Sequence, residues 1–175
     1  RSSAASDVYK RQAYYDAMRS GTSVTTAMIN IAGFLEPLRE ALVAGDDAIY
    51  IGMSGGISGT AHAASLAVEE LKEEFPERKV ASIDTYAASL GEGLLVVEAA
   101  RMLENGASFD EIVEKISQRR HVMCQYFTVD DLAYLERGGR VSKAAAIVGT
   151  VLKIKPLLRG DEEGKIVPVS YTHLR

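Results

Sequence analysis

Apolar residues along this chain follow two alternating rhythms, a three-to-four-residue period and short unbroken runs. Phe34, Leu38 and Leu42 recur at helical spacing up to Gly45, a residue type that ends helices. AIYIGM, residues 48–53, then predicts a strand, broken by Ser54-Gly55-Gly56. From Ser58 the helical period returns through Ala64, Val68, Leu71 and Phe75 until Pro76. KVASID, residues 79–84, predicts a second buried strand, and a helix follows through Leu95, Ala99, Met102 and Leu103 to Asn105-Gly106. Ser108 and Glu111 stand at capping-box spacing before a face of Phe109, Ile112, Val113 and Ile116.

Further on, 122–129 predicts a third strand. Asp130 is expected to cap a short helix carrying Leu132 and Leu135, which Gly138-Gly139 ends. A helix over 142–151 and two strands, 153–158 and 165–169, joined by RGDEEG as a hairpin, complete the pattern. Strands separated by helices of about three turns predict an α/β fold with a largely parallel sheet and helices on both faces, because parallel neighbours need long crossovers. The hairpin instead predicts the start of a second α/β domain with antiparallel strands.

The ends lack this periodicity. Residues 1–12 and 170–175 read as translated adaptor or cloning sequence and are set aside, leaving a first α/β domain over 13–125 and an incomplete second one over 126–169. Those tails carry Arg1, Lys10, Arg11 and Arg175 against one acid, Asp7, so the body is more acidic than the whole chain. The body is expected to be an internal piece of a longer protein.

Composition narrows the class. With 175 residues, 47% hydrophobic and 25% charged, the chain has the make-up of a globular domain. Its net charge of -4 lacks the concentrated positive field that nucleic acid attracts, and no apolar run is long enough to span a bilayer. One cysteine, Cys124, cannot form an internal disulfide, which fits a cytoplasmic setting. It reads as an inert core residue in an apolar strand, and no metal-ligand spacing accompanies it.

In open α/β sheets ligands bind where strands end and helices begin, which makes MSGGISGT, residues 53–60, the first candidate site. It offers hydroxyls, glycines that admit close approach, and helix-end amides that favour a carboxylate or phosphate. The plainest alternative is a structural turn with Ser58 as N-cap. A sharper one is a serine hydrolase, because Gly52-Met53-Ser54-Gly55-Gly56 matches G-x-S-x-G between strand and helix, with Asp84 and His121 following in triad order. Against it, His121 adjoins Arg119 and Arg120 at a helix end and no HGG-type oxyanion segment is present. Neither a dinucleotide fingerprint nor a P-loop occurs. Arg140, after Gly138-Gly139, can aim a fixed positive charge at an anion, while Lys153 and Lys155 read as one solvated strand face.

Together, ISGTAHAA, IDTYAASLGEGLLV, FTVDDLAYLERGGRVS and VGTVLKIKPLL, in this order and spacing, resemble the DegV family of bacterial fatty-acid-binding proteins across nearly all of 13–169. The resemblance implies a two-domain α/β carrier that is not itself a catalyst and needs no cofactor. Such a carrier holds one long-chain fatty acid between its domains and presents the carboxylate to an ATP-dependent fatty acid kinase subunit, a step towards phospholipid metabolism that allows transient contact with a membrane surface. Carried over to this chain, the carboxylate ligands are Thr26, Ser54, Gly55 and Arg140, with Thr25 and Ser58 secondary. Ala27 and Gly55 stand where the family usually has serine, which removes two hydroxyls and leaves the Gly55 amide as a donor. The family's first strand and the rest of its second domain, including a histidine near the head group, lie outside this chain. The fragment is therefore expected to expose apolar surface.

Overall fold

A computed structural model describes residues 3–142 and 155–172. Helix α1 spans Ser3–Arg19, and residues 20–30 connect it, without regular structure, to α2, Ile31–Ala44. Asn30 caps α2 by accepting the Gly33 amide at 2.9 Å, and Gly45 ends it in the left-handed region at φ +95°. Pro37 is tolerated inside α2 on its exposed side.

Strands β1, Ala48–Gly52, and β2, Val80–Asp84, are parallel, with Ala48 opposite Val80 and Gly52 opposite Asp84. Helix α3, Thr60–Glu74, makes the crossover; α4, Leu90–Glu104, and α5, Phe109–Arg119, follow. Alternation along the strands sorts the core into two layers. Ile49, Ile51 and Ile83 pack on Leu95 and Ala99 of α4 and on Ile112 and Ile116 of α5. Ala48, Tyr50 and Val80 face the other way, towards Phe34 and Leu42 of α2 and Ala64, Ala67, Val68 and Leu71 of α3. Each fully buried leucine contributes about 1.5–3 kcal/mol, and Leu42, Leu71 and Leu95 anchor the two layers. The Ser108–Glu111 capping box starts α5 as expected.

A second, antiparallel sheet has the order β3-β4-β5, with β3 at Tyr126–Phe127, β4 at Lys155–Gly160 and β5 at Ile166–Thr172. The chain is thus mixed α/β, a parallel sheet covered by helices on both faces followed by antiparallel strands. Leu132 and Leu158 form the second sheet's core, with Phe127, Val129, Leu135 and Ile166 against them. At the β4–β5 turn the Asp161 carboxylate accepts the Glu163 and Lys165 amides, both at 2.9 Å, and Gly164 takes φ +72°.

Several expectations need correction. The third strand is not 122–129 but two residues, and it joins the second sheet, because 120–122 form a turn of 3-10 helix that redirects the chain. Cys124 is exposed, since no sheet covers it there. Asp130 does not cap α6, Ala133–Arg137, whose N-cap is Leu132; Asp131 accepts the Ala133 amide at 2.8 Å, and Asp130 is drawn off by Lys155 at 2.7 Å, which is therefore paired. Strand β5 continues past Val169, where the hairpin's second strand is expected to end, to Thr172. Residues 143–151 of the helix expected over 142–151, and Lys153, lie outside the described residues. Among those described, no helix is long and apolar enough to cross a membrane.

Candidate functional site

The turns that leave β1 and β2 are tied together. Thr85, fully buried, donates its hydroxyl to the Gly52 carbonyl at 2.8 Å, and Ser54 donates its amide to Ala87 at 2.8 Å. Asp84 accepts the Gly55 amide at 2.9 Å on one carboxylate oxygen and the Tyr86 amide at 3.0 Å on the other. Ser54 is 0% exposed; its Oγ donates to the Gly164 carbonyl at 2.8 Å and accepts the Gly56 amide at 3.1 Å. The hairpin tip therefore rests on the very turn that sequence reasoning selected. A Cβ placed on Gly164 would lie 2.0 Å from the Ser54 oxygen, so only glycine allows this approach.

The remaining candidates divide between this turn and its flank. Arg140 donates Nε to the Ile57 carbonyl at 3.1 Å, which brings the GGR segment to the turn, and Nη1 to the Gly138 carbonyl. Ser58 is not the N-cap of α3; Gly59 is, while the Ser58 and Thr60 hydroxyls pair at 2.9 Å and Ser58 accepts the Thr60 amide at 3.3 Å. Thr25 and Thr26 are exposed on the 20–30 segment and line a concavity of about 410 Å3 together with Arg140. Ser54 does not line it. Met28 of the same segment reaches the start of α3, where a Cβ on Gly59 would stand 3.0 Å from its sulfur.

A feature that sequence reasoning missed is an apolar cavity of about 640 Å3 between the start of α4 and the second sheet. Leu90, Leu94, Met123, Phe127, Leu135 and Ile166 supply its apolar wall, and Ile57 and Gly164 join it to the turn. Leu90 is 86% exposed and Leu94 55%. The signal lay in LGEGLL, whose leucines at positions 90 and 94 are four apart and off the face that Leu95 and Ala99 give to the core. The wall is held by Gln125, whose side chain accepts the Ala88 amide at 3.1 Å and donates to the Ala88 carbonyl at 2.6 Å. Burial pushes the Glu92 carboxyl above its ordinary range, and burial, then the charges of Glu92 and Asp84, raise the Tyr50 hydroxyl.

The hydrolase triad is not assembled. Ser54 Oγ meets a carbonyl and not an imidazole, and His121 accepts from Arg120 Nε at 3.3 Å and sits edge-on to Tyr86. Asp84 is engaged by backbone amides. Ser54 also lacks the exposure that a nucleophile elbow provides.

Comparison with known proteins is consistent in direction. The family model described as "Uncharacterised protein, DegV family" matches residues 3–172. A DegV domain-containing protein of Clostridium perfringens is 39% identical over 155 residues, covering 89% of this chain and 53% of that protein. Among solved structures, a fatty acid binding DegV family protein from Streptococcus agalactiae has a TM-score of 0.80 at 31% identity, covering 94% of this chain and 57% of that one. A DegV family protein from Thermus thermophilus, described for its fatty acid binding, has a TM-score of 0.74 at 34% identity, covering 91% and 55%. The chain spans about half the length of the relatives it matches.

Proposed function

The chain belongs to the DegV family, and from that premise we propose that it forms part of a carrier for one long-chain fatty acid. The observation that carries this reading is the apolar cavity of about 640 Å3 opening beside a turn rich in hydrogen-bond donors. An acyl chain needs an apolar wall and its carboxylate needs a few convergent donors, and these two stand side by side here. Each buried methylene contributes about 0.8 kcal/mol and each charge-assisted bond about 1.5–3 kcal/mol, so the tail supplies most of the affinity and the head its direction. The two relatives described as fatty-acid-binding add support through the shared family.

For the head group the proposed ligands are Thr26, Ser54, Gly55 and Arg140, with Thr25 and Ser58 beside them. Thr26 offers an exposed hydroxyl and Arg140 a charge in the same concavity. Ser54 reaches a carboxylate by exchanging the Gly164 carbonyl for it, and the Gly55 amide by exchanging Asp84. The acid is carried unchanged and presented to an ATP-dependent kinase subunit, a step that rests on family membership alone.

Native mass spectrometry of the intact parent protein from bacteria tests the proposal, a co-purified fatty acid being the expected result. Thr26→Ala and Arg140→Ala should each weaken binding of the acid by about 1–3 kcal/mol and leave the matching fatty alcohol unaffected. Equal losses for both ligands would remove these residues from the head-group site. Labelling of Ser54 by a fluorophosphonate would overturn the carrier reading in favour of a hydrolase.

A further inference from the structure

A second cavity, of about 530 Å3, adjoins the apolar one along the 123–126 segment and is lined by the 3-10 turn Arg120–Val122 and by Arg159, Gly160, Asp161 and Glu162 where β4 enters the hairpin turn. Its basic residues are Arg120, His121 and Arg159. Arg120 is held firmly: Nη1 donates to the Asp84 carbonyl at 3.0 Å, Nε to His121, and the guanidinium lies 4.6 Å from the Tyr86 ring centre. Tyr86 itself is fixed at φ +53°, a conformation a non-glycine residue keeps only where its surroundings impose it. The Arg159 side chain makes no hydrogen bond or ion pair among the described residues, and neither arginine's side chain meets a carboxylate, whereas Arg39, Lys79, Arg119, Lys155 and Lys165 all do. Two acids also line the cavity. Asp161 is spent on the Glu163 and Lys165 amides, which leaves Glu162 as the opposing charge.

We propose that this cavity is an anion site for a phosphate group, gripped between the fixed Arg120 and the unspent fork of Arg159. A guanidinium has five N–H donors in a planar fork suited to phosphate oxygens, and Arg120 uses only two in its contacts with Asp84 and His121. The phosphate comes free or at the end of a lipid. Tyr86, Met123, Cys124 and Gln125 line both cavities, so a lipid-borne phosphate would lay its tail in the apolar one.

The test is calorimetric titration of the chain, in phosphate-free buffer, with inorganic phosphate and separately with an eight-carbon lysophosphatidate below its micelle concentration. Saturable binding is expected, weakened about 10- to 100-fold by Arg159→Ala and partly restored by Arg159→Lys. Glu162→Gln should tighten it. Because the Arg159 side chain is exposed and has no partner among the described residues, its substitution should leave the unfolding midpoint unchanged. Tighter binding of the lysophosphatidate, lost in Leu94→Asp, assigns the lipid source; equal affinities assign the free one. Absence of saturable binding by either probe, or affinities indifferent to Arg159→Ala and Glu162→Gln, would overturn the site.

Discussion

Substituting Gly164 by alanine concentrates the site's construction into one measurable quantity. The residue stands at φ +72°, where an L side chain costs about 1–2 kcal/mol. Its new Cβ would fall 2.0 Å from Ser54 Oγ and 3.1 Å from Tyr86 Cα, so the hairpin tip must lift off. Lifting removes the acceptor of the buried Ser54 hydroxyl, a further loss of about 1–3 kcal/mol. Together these predict a destabilisation of about 2–5 kcal/mol, which lowers a urea midpoint by about 1–2.5 M at a slope near 2 kcal/mol/M. Equilibrium denaturation followed by tyrosine fluorescence and by circular dichroism measures it. Ser54→Ala in the same chain removes the oxygen that the new methyl strikes, so the double variant should lose at least about 1 kcal/mol less than the two singles combined. A Gly164→Ala variant as stable as the parent, or strict additivity of the pair, would refute the contact between tip and turn.

Leu94→Asp should abolish long-chain fatty-acid binding in a fluorescent-lipid displacement assay with little change in stability, because Leu94 is exposed and lines the apolar cavity; retained affinity would take the tail elsewhere. Bonds from Ser108 hold the Glu111 carboxyl below its ordinary value, so the stability it contributes is present above its unfolded pKa and lost as pH falls through the folded one; Ser108→Ala should flatten that acid limb of a stability–pH curve. Burial raises Glu92 instead, so any advantage it gives exists below its unfolded pKa and disappears as pH climbs through the folded value; Glu92→Gln should therefore stabilise the chain at neutral pH, as judged by its melting temperature. Cys124 should react with a thiol reagent at the rate of an exposed thiol in the native protein; protection until denaturant is added would contradict its placement.

Where local chemistry decides structure, the sequence was readable. The α2 period with Gly45, both parallel strands and the Ser108–Glu111 capping box depend on residues within a few positions of each other, and each formed where its pattern stood. The third strand was misjudged because apolar content over 122–129 says nothing about which sheet offers a partner; that depended on β4, some thirty residues later. Asp130 was mistaken for a cap because Lys155, its partner, is equally remote in sequence. The geometry of the candidate site was legible in the same measure. Its turn and the approach of Arg140 followed from motifs, but the Gly164 contact across 110 residues and the cavity wall of Leu90 and Leu94 arise only when two sheets meet.

The paired bonds of Gln125 to Ala88 impose an asymmetry on how this segment can vary among related chains. Gln125 addresses main-chain atoms that any non-proline residue at 88 would present, so position 88 is free to drift. Position 125 is not: glutamate lacks the donor, leucine lacks both groups, and asparagine is a methylene short. Gly91 shares the restriction, because a Cβ there would stand 2.6 Å from the Gln125 oxygen. In an alignment of such chains, columns 91 and 125 should therefore change together or not at all, with column 88 wandering between them.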